Sequence, residues 1–376
     1  MNSNVKKALV IGGGFSGMTA ALQLSRQGVD VDLVELDAGW RSYGAGITVN
    51  GSTLRVLNQL GLMARFMEEG FASDGVEIRG PDDAVLVHLP TPRVAGPDIP
   101  GGGGIMRPAL AKVLSEAVLS SGVNVRLGAT FTDITDAEGG VTVVFSDGTT
   151  GIYDLVIGAD GLYSATRRSI FPDAPKPRFI GQSIWRAVLP KPEGIETVAM
   201  WMGPKLKAGI SPVGHGSAYL FLTEDRETNA FVDPKTFVSQ VKALLQNFAS
   251  PTIQQIAKDI GEEHQIVYRP LEQMLMPRPW YRGRVVLIGD AVHATTPHLA
   301  AGACIGIEDA MVLAEEVARS TDINHALSAF EARRWERCRM VVENSGRLAD
   351  IEINGGNREE HANIMQTSMR TLAEAI

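Results

Sequence analysis

The hydrophobic pattern at the start of the chain predicts a strand, a helix and a second strand. Residues 7–11 form a short apolar run, which is typical of a buried parallel strand. Residues 18–27 have the composition and length of a helix, and Gly28 stands where a glycine commonly ends one. Residues 29–35 form a second strand that ends on an acid, so the opening of the chain predicts a βαβ unit.

Two later apolar runs end in turns that combine glycine with aspartate. Residues 154–158 lead to an Asp-Gly pair that begins at Asp160, and residues 284–288 lead to a Gly-Asp pair that ends at Asp290. Ligands of open α/β sheets bind at the carboxyl ends of the strands. We therefore expect these two turns to lie at a binding crevice.

The segment between those turns has a different pattern. It predicts three strands and then two amphipathic helices, at residues 183–188, 197–202, 217–222, 234–248 and 251–260. Strands with helices on one side indicate an α+β sheet domain, and we expect residues 74–100 to add strands to the same sheet. The glycine run at residues 101–104 follows a proline and has no strand leading into it, so we interpret it as a loop.

The turn after the first predicted strand has the sequence G-x-G-x-x-G. In that arrangement Gly12 permits the tight turn, Gly14 lets the backbone approach a pyrophosphate, and Gly17 lets the helix pack close to the strand. Glu35 ends the second strand, where a carboxylate can accept hydrogen bonds from ribose hydroxyls. A glycine-rich turn without a ligand is the alternative, but the order of strand, glycines, helix, strand and acid favours a dinucleotide. This unit alone does not choose between FAD and NAD.

Composition narrows the class of protein further. The chain has 376 residues and a net charge of −8, which argues against nucleic-acid binding, since that needs a basic face. Its two cysteines, Cys304 and Cys338, lack metal-ligand or C-x-x-C spacing, and the seven histidines show no ligand spacing either, so we expect no metal. No apolar stretch reaches the roughly 18 residues of a membrane span, and a cytoplasmic location is expected.

The three turns, taken in order, resemble the class A flavoprotein monooxygenases, the family of p-hydroxybenzoate hydroxylase and salicylate hydroxylase. The resemblance extends over essentially the whole chain. It implies FAD as cofactor, NADH or NADPH and O2 as co-substrates, and hydroxylation of a small aromatic or heteroaromatic substrate through a flavin C4a-hydroperoxide. No second G-x-G-x-x-G unit follows a strand downstream, as in that family, which has no separate NADPH domain.

The expected fold class is α/β, with a Rossmann-type FAD-binding domain and a mixed-sheet α+β substrate domain. The FAD-binding domain is predicted to be discontinuous, and the substrate domain fills the gaps. The predicted boundaries are 1–73, 101–173 and 277–376 for the first domain, and 74–100 and 174–276 for the second.

The resemblance implies a set of FAD contacts around the glycine loop, the two aspartate turns and two flavin-facing loops. These residues are Gly12, Gly14, Phe15, Ser16, Gly17, Glu35, Arg41, Gly46, Arg107, Asp160, Gly161, Asp290, Pro297, Gly302 and Ala303. A helix beginning near Gly302 would turn its N–H groups toward the negative charge of reduced flavin. The family more often has glutamine before this glycine, where this chain has Ala301. As alternatives, the two aspartates could cap helices, and Arg107 could be a surface cation.

Candidate catalytic residues are Pro297 and His298, which the family pattern places near the reactive edge of the flavin, and Tyr219. His298 could serve as a base toward a phenol-like substrate; the alternative is that it only hydrogen-bonds the loop. Candidate substrate contacts are Trp185, Met200, Met202, Lys207, Ile210, His215 and Tyr219. For the tryptophan and the methionines, a plain core position is the alternative.

Three other functions are alternatives to this one. An FAD-dependent halogenase normally carries a W-x-W-x-I-P segment, and no two tryptophans of this chain stand two apart. An FAD-dependent oxidase or dehydrogenase would use the same fold and motifs. A non-catalytic flavin-binding protein is the third alternative, and an intact pocket-forming domain argues against it.

Overall fold

The computed structural model of the chain describes residues 5–203, 205–214 and 216–376. The candidate substrate contact His215 therefore lies outside the described residues. Within them, no helix has both the length and the apolar character needed to cross a bilayer.

The strands of the described residues fall into four sheets. In chain order they are β1 (Lys7–Ile11), β2 (Asp30–Glu35), β3 (Gly46–Asn50), β4 (Phe71–Ser73), β5 (Val76–Arg79), β6 (Val85–Leu89), β7 (Gly102–Met106), β8 (Asn124–Leu127), β9 (Phe131–Ala137), β10 (Gly140–Phe145), β11 (Thr150–Tyr153), β12 (Leu155–Gly158), β13 (Arg178–Pro190), β14 (Val198–Gly203), β15 (Leu206–Gly214), β16 (Ser217–Asp225), β17 (Ile266–Leu275), β18 (Tyr281–Arg282) and β19 (Val285–Leu287).

The helices pack against these sheets. They are α1 (Phe15–Arg26), α2 (Gly51–Gln59), α3 (Met63–Glu69), α4 (Arg107–Ser120), α5 (Ala165–Ile170), α6 (Phe237–Leu245), α7 (Pro251–Asp259), α8 (Asp290–His293), α9 (Gly302–Arg319), α10 (Ile323–Asn354) and α11 (Arg358–Ala373), with 3₁₀ turns at Pro234–Thr236 and Pro297–Leu299.

The first sheet has the order β18-β19-β12-β1-β2-β8, and its five strands from β19 to β8 run parallel. Ile11 lies beside Val34 on one side and Gly158 on the other, and Gly158 lies beside Leu287. The carboxyl ends of β1, β2, β12 and β19 therefore share one edge. The chain leaves β1 toward β2 and later returns on the other side at β12, so this edge contains the switch point where such sheets bind ligands.

The second sheet has the order β17-β13-β16-β15-β14-β5-β6 and is antiparallel except for the β14–β5 pair. Helices α6 and α7 cover one face, where Trp185, Leu222, Val241 and Ile253 form part of a buried core. Segment 74–100 contributes β5 and β6 to this sheet, as expected. The predicted fold class, a Rossmann-type domain joined to a mixed-sheet α+β domain, is confirmed.

The glycine run at residues 101–104 is not a loop, and that prediction was wrong. Residues Gly102–Met106 form β7, which pairs with β3 and β4. A Cβ on Gly103 would lie 2.3 Å from the Phe71 carbonyl oxygen, and one on Gly104 would lie 2.2 Å from that of Pro212. The glycines are needed because neighbouring backbones pass very close, and a strand built from glycines has no hydrophobic pattern to detect.

Candidate FAD and substrate site

Backbone hydrogen bonds bring the motif-bearing turns together at one edge of the parallel sheet. The Gly12 N–H donates to the carbonyl of Val34 at 2.9 Å, and the Ile288 N–H donates to the carbonyl of Gly158 at 3.0 Å. The ladder thus continues one residue past the strands before the chain turns away. The glycine loop, the acid that ends β2 and the two aspartate turns consequently face one crevice.

The glycine loop is shaped to approach a ligand. Gly12 has φ of +108°, and a Cβ there would lie 2.5 Å from the carbonyl oxygen of Ala159. A Cβ on Gly17 would lie 2.0 Å from the carbonyl oxygen of Gly12, so α1 packs directly on the turn. By contrast, a Cβ on Gly14 would meet nothing within 4 Å, and no side chain caps α1. The free N–H groups of α1 and the open space at Gly14 fit a pyrophosphate.

Glu35 braces the same loop from β2. Its two carboxylate oxygens accept the N–H groups of Gly13 and Asp37, each at 2.7 Å, and the Trp40 indole donates to the Gly13 carbonyl at 2.9 Å. A carboxylate oxygen has more than one acceptor position, so Glu35 can still receive a ribose hydroxyl. Arg41 is exposed and pairs with Asp37 at 2.9 Å, so its predicted FAD contact stays a prediction.

Asp160 holds the turn that follows β12. Its carboxylate accepts the Thr166 N–H at 2.9 Å and the Ser164 hydroxyl, which fixes the start of α5. The helix-capping alternative is therefore realised for this residue. Gly161 has φ of +79°, and a Cβ there would meet open space. A contact of this turn with FAD would involve the backbone at Gly161.

Asp290 is the residue whose surroundings fit a bound cofactor best. It lies deep in the molecule yet is exposed along the crevice, and its carboxylate makes no hydrogen bond to any described residue. Burial raises the pKa of Asp290, while the charges of His293 and Arg107 oppose that rise. An acid left without a protein partner in a crevice is suited to a ligand hydroxyl. Together with the glycine loop, these residues fit FAD.

Arg107 connects the glycine loop to the predicted flavin-facing loop at residues 41–47. Its N–H donates to the Ala45 carbonyl at 3.0 Å, and its guanidinium lies 5.2 Å from the centre of the Phe15 ring. Gly44 has φ of +125°, and a Cβ there would lie 3.0 Å from the Arg107 side chain. Burial lowers the pKa of Arg107. It is a largely buried group on the crevice wall rather than a surface cation.

Tyr219 reaches from the second sheet to this loop. A Cβ on Gly46 would lie 2.1 Å from the Tyr219 ring, so the glycine makes room for the tyrosine. The hydroxyls of Tyr219 and Thr48 are 2.6 Å apart, and Thr48 also donates to Ser211 at 3.3 Å. The structure thus brings two predicted site residues, Gly46 and Tyr219, into contact. Thr48 had no sequence signal that marked it.

Both ring nitrogens of His298 are engaged. Nδ1 lies 2.9 Å from the Thr296 hydroxyl, while Nε2 lies 3.0 Å from Gln182 Oε1 and 3.5 Å from a Glu352 carboxylate oxygen. Because two acceptors face Nε2, we assign the proton there, and Nδ1 then accepts from Thr296. Burial lowers the pKa of His298, so the ring is neutral. This geometry favours the alternative that His298 organises its loop.

Lys207 lies beside the same carboxylate. Its ammonium donates to Glu352 at 2.8 Å, and His361 lies 3.2 Å from the same oxygen. Burial would raise the pKa of Glu352, but the Lys207 charge and the histidine hydrogen bonds outweigh it, and the pKa falls well below its usual range. The charge of Lys207 is therefore neutralised within the protein.

Two predicted substrate contacts lie on the wrong face of the second sheet. Trp185 and Ile210 are 1% and 0% exposed and belong to the core beneath α6 and α7. The Trp185 indole donates to Glu224 at 2.7 Å. Because side chains alternate along a strand, the neighbour Arg186 points to the face that carries Tyr219. The pattern revealed the alternation but not which face meets the flavin.

The two predicted methionines do lie on the other face. Trp201, between them on β14, packs into the helix-covered core, so Met200 and Met202 point away from it. Met202 is 53% exposed and Met200 is partly buried. Only Met200 is sheltered in the manner expected of a pocket wall.

Helix α9 begins at Gly302, as predicted, and no side chain caps its start at Ala301. Gly306, one turn further on, had only the weak signal of a glycine inside a helix. A Cβ on Gly306 would lie 2.3 Å from the Ser16 hydroxyl and 3.3 Å from Gly289 Cα. The glycine thus allows α9, α1 and the Gly-Asp turn to meet, which places Ser16 at their junction.

A buried charge network lies behind that junction. His293, Asp309 and Cys338 have side-chain atoms within 4.8 Å of one another, as metal ligands would. However, the Arg334 guanidinium donates to Asp309 at 2.8 Å and lies 3.5 Å from the Cys338 sulfur. Burial lowers the pKa of His293, but the neighbouring Asp309 carboxylate raises it by more. The net pKa lies above the usual histidine value, so His293 and Asp309 form an ion pair. We interpret the cluster as an ion network rather than a metal site.

A parallel sheet with a glycine loop, an acid that ends β2 and an aspartate with no hydrogen-bond partner among the described residues, all at one crevice, defines a flavin-dinucleotide-binding protein of the α/β class. Residues 6–345 match the family described as "FAD binding domain". The chain belongs to this family and, within it, to the class A FAD-dependent monooxygenases.

Several relatives resemble the chain over nearly its full length. The 2-heptyl-3-hydroxy-4(1H)-quinolone synthase of Pseudomonas aeruginosa is 32% identical, with 92% of this chain and 90% of that protein covered. The FAD-dependent urate hydroxylase of Klebsiella pneumoniae is 28% identical, with 92% and 90% covered. The crystal structure of Klebsiella pneumoniae HpxO complexed with FAD and uric acid has a TM-score of 0.80 and 25% identity, with 98% and 93% covered.

Proposed function

We propose that the protein uses NADH or NADPH and O2 to hydroxylate a small aromatic or heteroaromatic substrate held between the second sheet and FAD. The observation that carries this proposal is the contact of Tyr219 with Gly46, which brings the sheet against the flavin-facing loop. Relatives named for a hydroxyquinolone product and for urate and aminohydroxybenzoate substrates support the aromatic class.

FAD, once reduced, would activate O2 and supply the oxygen atom for transfer. The chain's own residues would bind and position it. The glycine loop would hold the pyrophosphate, and Asp290 would accept hydroxyl groups of the ribityl or ribose chain. The N–H groups of Gly302 and Ala303, at the start of α9, would stabilise negative charge on the reduced ring.

The residues proposed to meet the substrate lie on the uncovered face of the second sheet. Tyr219 would present its hydroxyl to the substrate, with Thr48 fixing its direction. His298, held by Thr296 and Glu352, would keep the turn that contains Pro297 in place beside the ring. The closed packing around this turn would exclude water from the reacting atoms.

The proposed domain division remains the discontinuous one. Residues 1–73, 101–173 and 277–376 would form the FAD-binding domain, and residues 74–100 and 174–276 the substrate domain. The assignment of β5 and β6 to the same sheet as β13–β17 supports this division.

The proposal is tested with the FAD-loaded protein. Aromatic acids, phenols and N-heterocycles are screened for stimulated oxidation of NADH and NADPH, and products are identified by mass spectrometry. We expect one class to stimulate oxidation and to gain one oxygen atom from O2. Stoichiometric peroxide without an oxygenated product would indicate an oxidase, and FAD binding with no nicotinamide oxidation under any condition would indicate a flavin-binding protein.

A further inference from the structure

Strand β6 is one edge of the second sheet, and its outer side pairs with no other strand of the described residues. Its five residues, Val85–Leu89, are all exposed, and its four aliphatic side chains are 43–64% exposed. The strand contains no Lys, Arg, Asp, Glu or Pro. Natural edge strands are normally protected by charges, prolines or a covering segment, because an open apolar edge pairs with other chains. β6 therefore has the properties of a strand that a protein partner covers.

The hairpin that carries β6 is held at both ends, so the edge is a fixed surface. At the turn before the strand, Asp83 accepts the Trp201 indole N–H at 3.0 Å and the Thr252 N–H at 2.8 Å. After the strand, the Thr91 hydroxyl accepts the Gly75 N–H at 2.8 Å. A strand that is already ordered loses little conformational entropy when a second strand joins it.

The apolar surface continues from this edge onto the uncovered face of the sheet. Met200, Ile78 and Val87 lie side by side on three neighbouring strands and therefore on one face. Met202, two residues further along β14, is 53% exposed on the same face. The exposed apolar side chains form a patch on the order of a few hundred Å², which is often functional on a single chain. A contact of that size is at the small end of specific interfaces and suits a reversible association.

The sequence of β6 fits a second copy of itself in the antiparallel direction. With Val87 on a two-fold axis, Val85 of one copy lies opposite Leu89 of the other, and Leu86 lies opposite His88. Every opposed pair then contains an aliphatic side chain. Both copies use the same strand edge, which is the arrangement that a two-fold dimer requires.

The charges at the two ends of the hairpin match as well. Asp82 is exposed at the turn before β6 and forms no ion pair with a described residue, and Arg93 is exposed after the strand. In the antiparallel arrangement, Asp82 of each copy lies beside residue 92 of the other, next to Arg93. An apolar centre with charged groups at its rim is the usual anatomy of a protein interface. Asp82 and the net charge of −8 would instead oppose contact with an anionic lipid surface.

We propose that the protein associates with a second copy of itself through antiparallel pairing of the two β6 strands around Val87. The two second sheets then continue into each other across the axis. Tyr219 lies on β16, which is four strands away from β6, so the interface is separate from the candidate FAD site. The inference consequently does not depend on the proposed function.

The first test traps the dimer with engineered cysteines in the FAD-loaded protein. Cys304 and Cys338 are buried, so the introduced thiol is the one that reacts. Directly opposed residues of antiparallel strands have Cα atoms about 4.5–5.5 Å apart, which a disulfide can span. Under mild oxidation, Val87→Cys should give a covalent dimer on non-reducing electrophoresis.

Val85→Cys is the matched control, because Val85 is similarly exposed on the same strand. Its two cysteines would be offset by four residues, or about 13 Å, and should not join. A mixture of Val85→Cys and Leu89→Cys should form the mixed dimer. Cross-linking of Val85→Cys as strong as that of Val87→Cys, or none by Val87→Cys, would overturn the proposal.

The second test measures the mass of the FAD-loaded protein by light scattering over a series of concentrations. The unaltered protein should shift from monomer to dimer as its concentration rises. Val87→Lys should raise the dissociation constant at least about tenfold, because two like charges would meet on the axis, and should leave FAD content unchanged. Ile152→Lys, on the exposed edge strand β11 of another sheet, is the control and should dimerise like the parent.

A parent protein that stays monomeric at every soluble concentration would contradict the proposal, and so would a dimer that persists unchanged in Val87→Lys. Vesicles of phosphatidylcholine and phosphatidylglycerol are sedimented with both proteins. A monomer that binds these vesicles, and loses that binding in Val87→Lys, would assign the patch to a lipid surface and overturn the proposed dimer.

Discussion

The carboxylate of Asp309 on α9 accepts the backbone N–H of Gly289 at 2.9 Å, which ties a buried ion network to the turn that presents Asp290. Gly289 has φ of +62°, so the turn depends on this anchor as well as on glycine's freedom. Replacing Asp309 should therefore disturb FAD binding from behind the crevice.

The Asp309→Asn variant keeps the shape of the side chain but removes its charge from beside Arg334 and His293. Breaking one side of a buried ion pair typically costs about 3–5 kcal/mol, so we expect a clearly lower thermal midpoint. FAD affinity should also fall, which fluorescence titration of the released flavin would measure. The exposed Asp350→Asn is the control. A variant as stable as the parent with unchanged affinity would show that the network is not an anchor.

The glycine loop allows stability to be separated from cofactor binding. Gly17→Ala places a Cβ 2.0 Å from backbone, which overpacks α1 against β1 and should lower the stability of the FAD-free protein by about 1–3 kcal/mol or more. Gly14→Ala enters open space and should leave that stability unchanged, yet weaken FAD by at least about tenfold because the methyl group occupies the pyrophosphate approach. Gly139→Ala, also in open space, should change neither property.

The stability of the FAD-free protein and its affinity for FAD are both measured from thermal midpoints with and without FAD. The idea that Gly14 faces a pyrophosphate fails if Gly14→Ala binds FAD as tightly as Gly139→Ala does.

The elements that carry the candidate FAD site can be predicted from the sequence because local chemistry dictates them. The loop from Gly12 to Gly17 and the start of α9 at Gly302 occupy the predicted elements, since a strand, a tight turn and a helix start each leave a short-range signature. The strand at residues 102–106 cannot be predicted from its own sequence, because its glycines make room for backbone segments that are distant along the chain. No local pattern contains that information.

The face of the second sheet that points toward the FAD-binding edge is harder to predict from the sequence, for a different reason. Alternation along β13 separates Trp185 from Arg186, but only the assembled sheet decides which of them faces the helices. Hydrophobicity alone favours a tryptophan over an arginine as a pocket wall, so the sequence pattern points to Trp185 and not to Arg186. Similarly, the side chains that His298 Nε2 meets belong to Gln182 and Glu352, which are far from it along the chain, so no local pattern predicts these contacts.

Glu352 should make the stability of the protein depend on acid pH. Burial raises its pKa, but Lys207 and the histidines lower it more, so the folded protein holds the carboxylate charged where the unfolded chain would protonate it. The resulting stabilisation is complete above the usual glutamate pKa of about 4.3 and is lost as pH falls below that value.

We therefore expect Glu352→Gln to be less stable than the parent at pH 7, with the difference in thermal midpoint shrinking as pH falls below about 4.3. Glu359→Gln, on the exposed start of α11, is the control and should show no such dependence. A constant difference between Glu352→Gln and the parent from pH 7 to pH 3.5 would contradict the assigned ion pair.

Tyr219 and Thr48 share a hydrogen bond whose two ends can be removed separately. Tyr219→Phe and Thr48→Val each delete the 2.6 Å contact, so each should lower stability by about 1 kcal/mol and leave FAD affinity nearly unchanged. Only Tyr219→Phe also removes a hydroxyl from the pocket face, and its rate of hydroxylation per NADH consumed should fall much further.

Tyr163→Phe, which alters an exposed tyrosine bonded to Glu272, is the control. If the two variants lose coupling equally, Tyr219 acts by positioning the loop rather than by contacting the substrate.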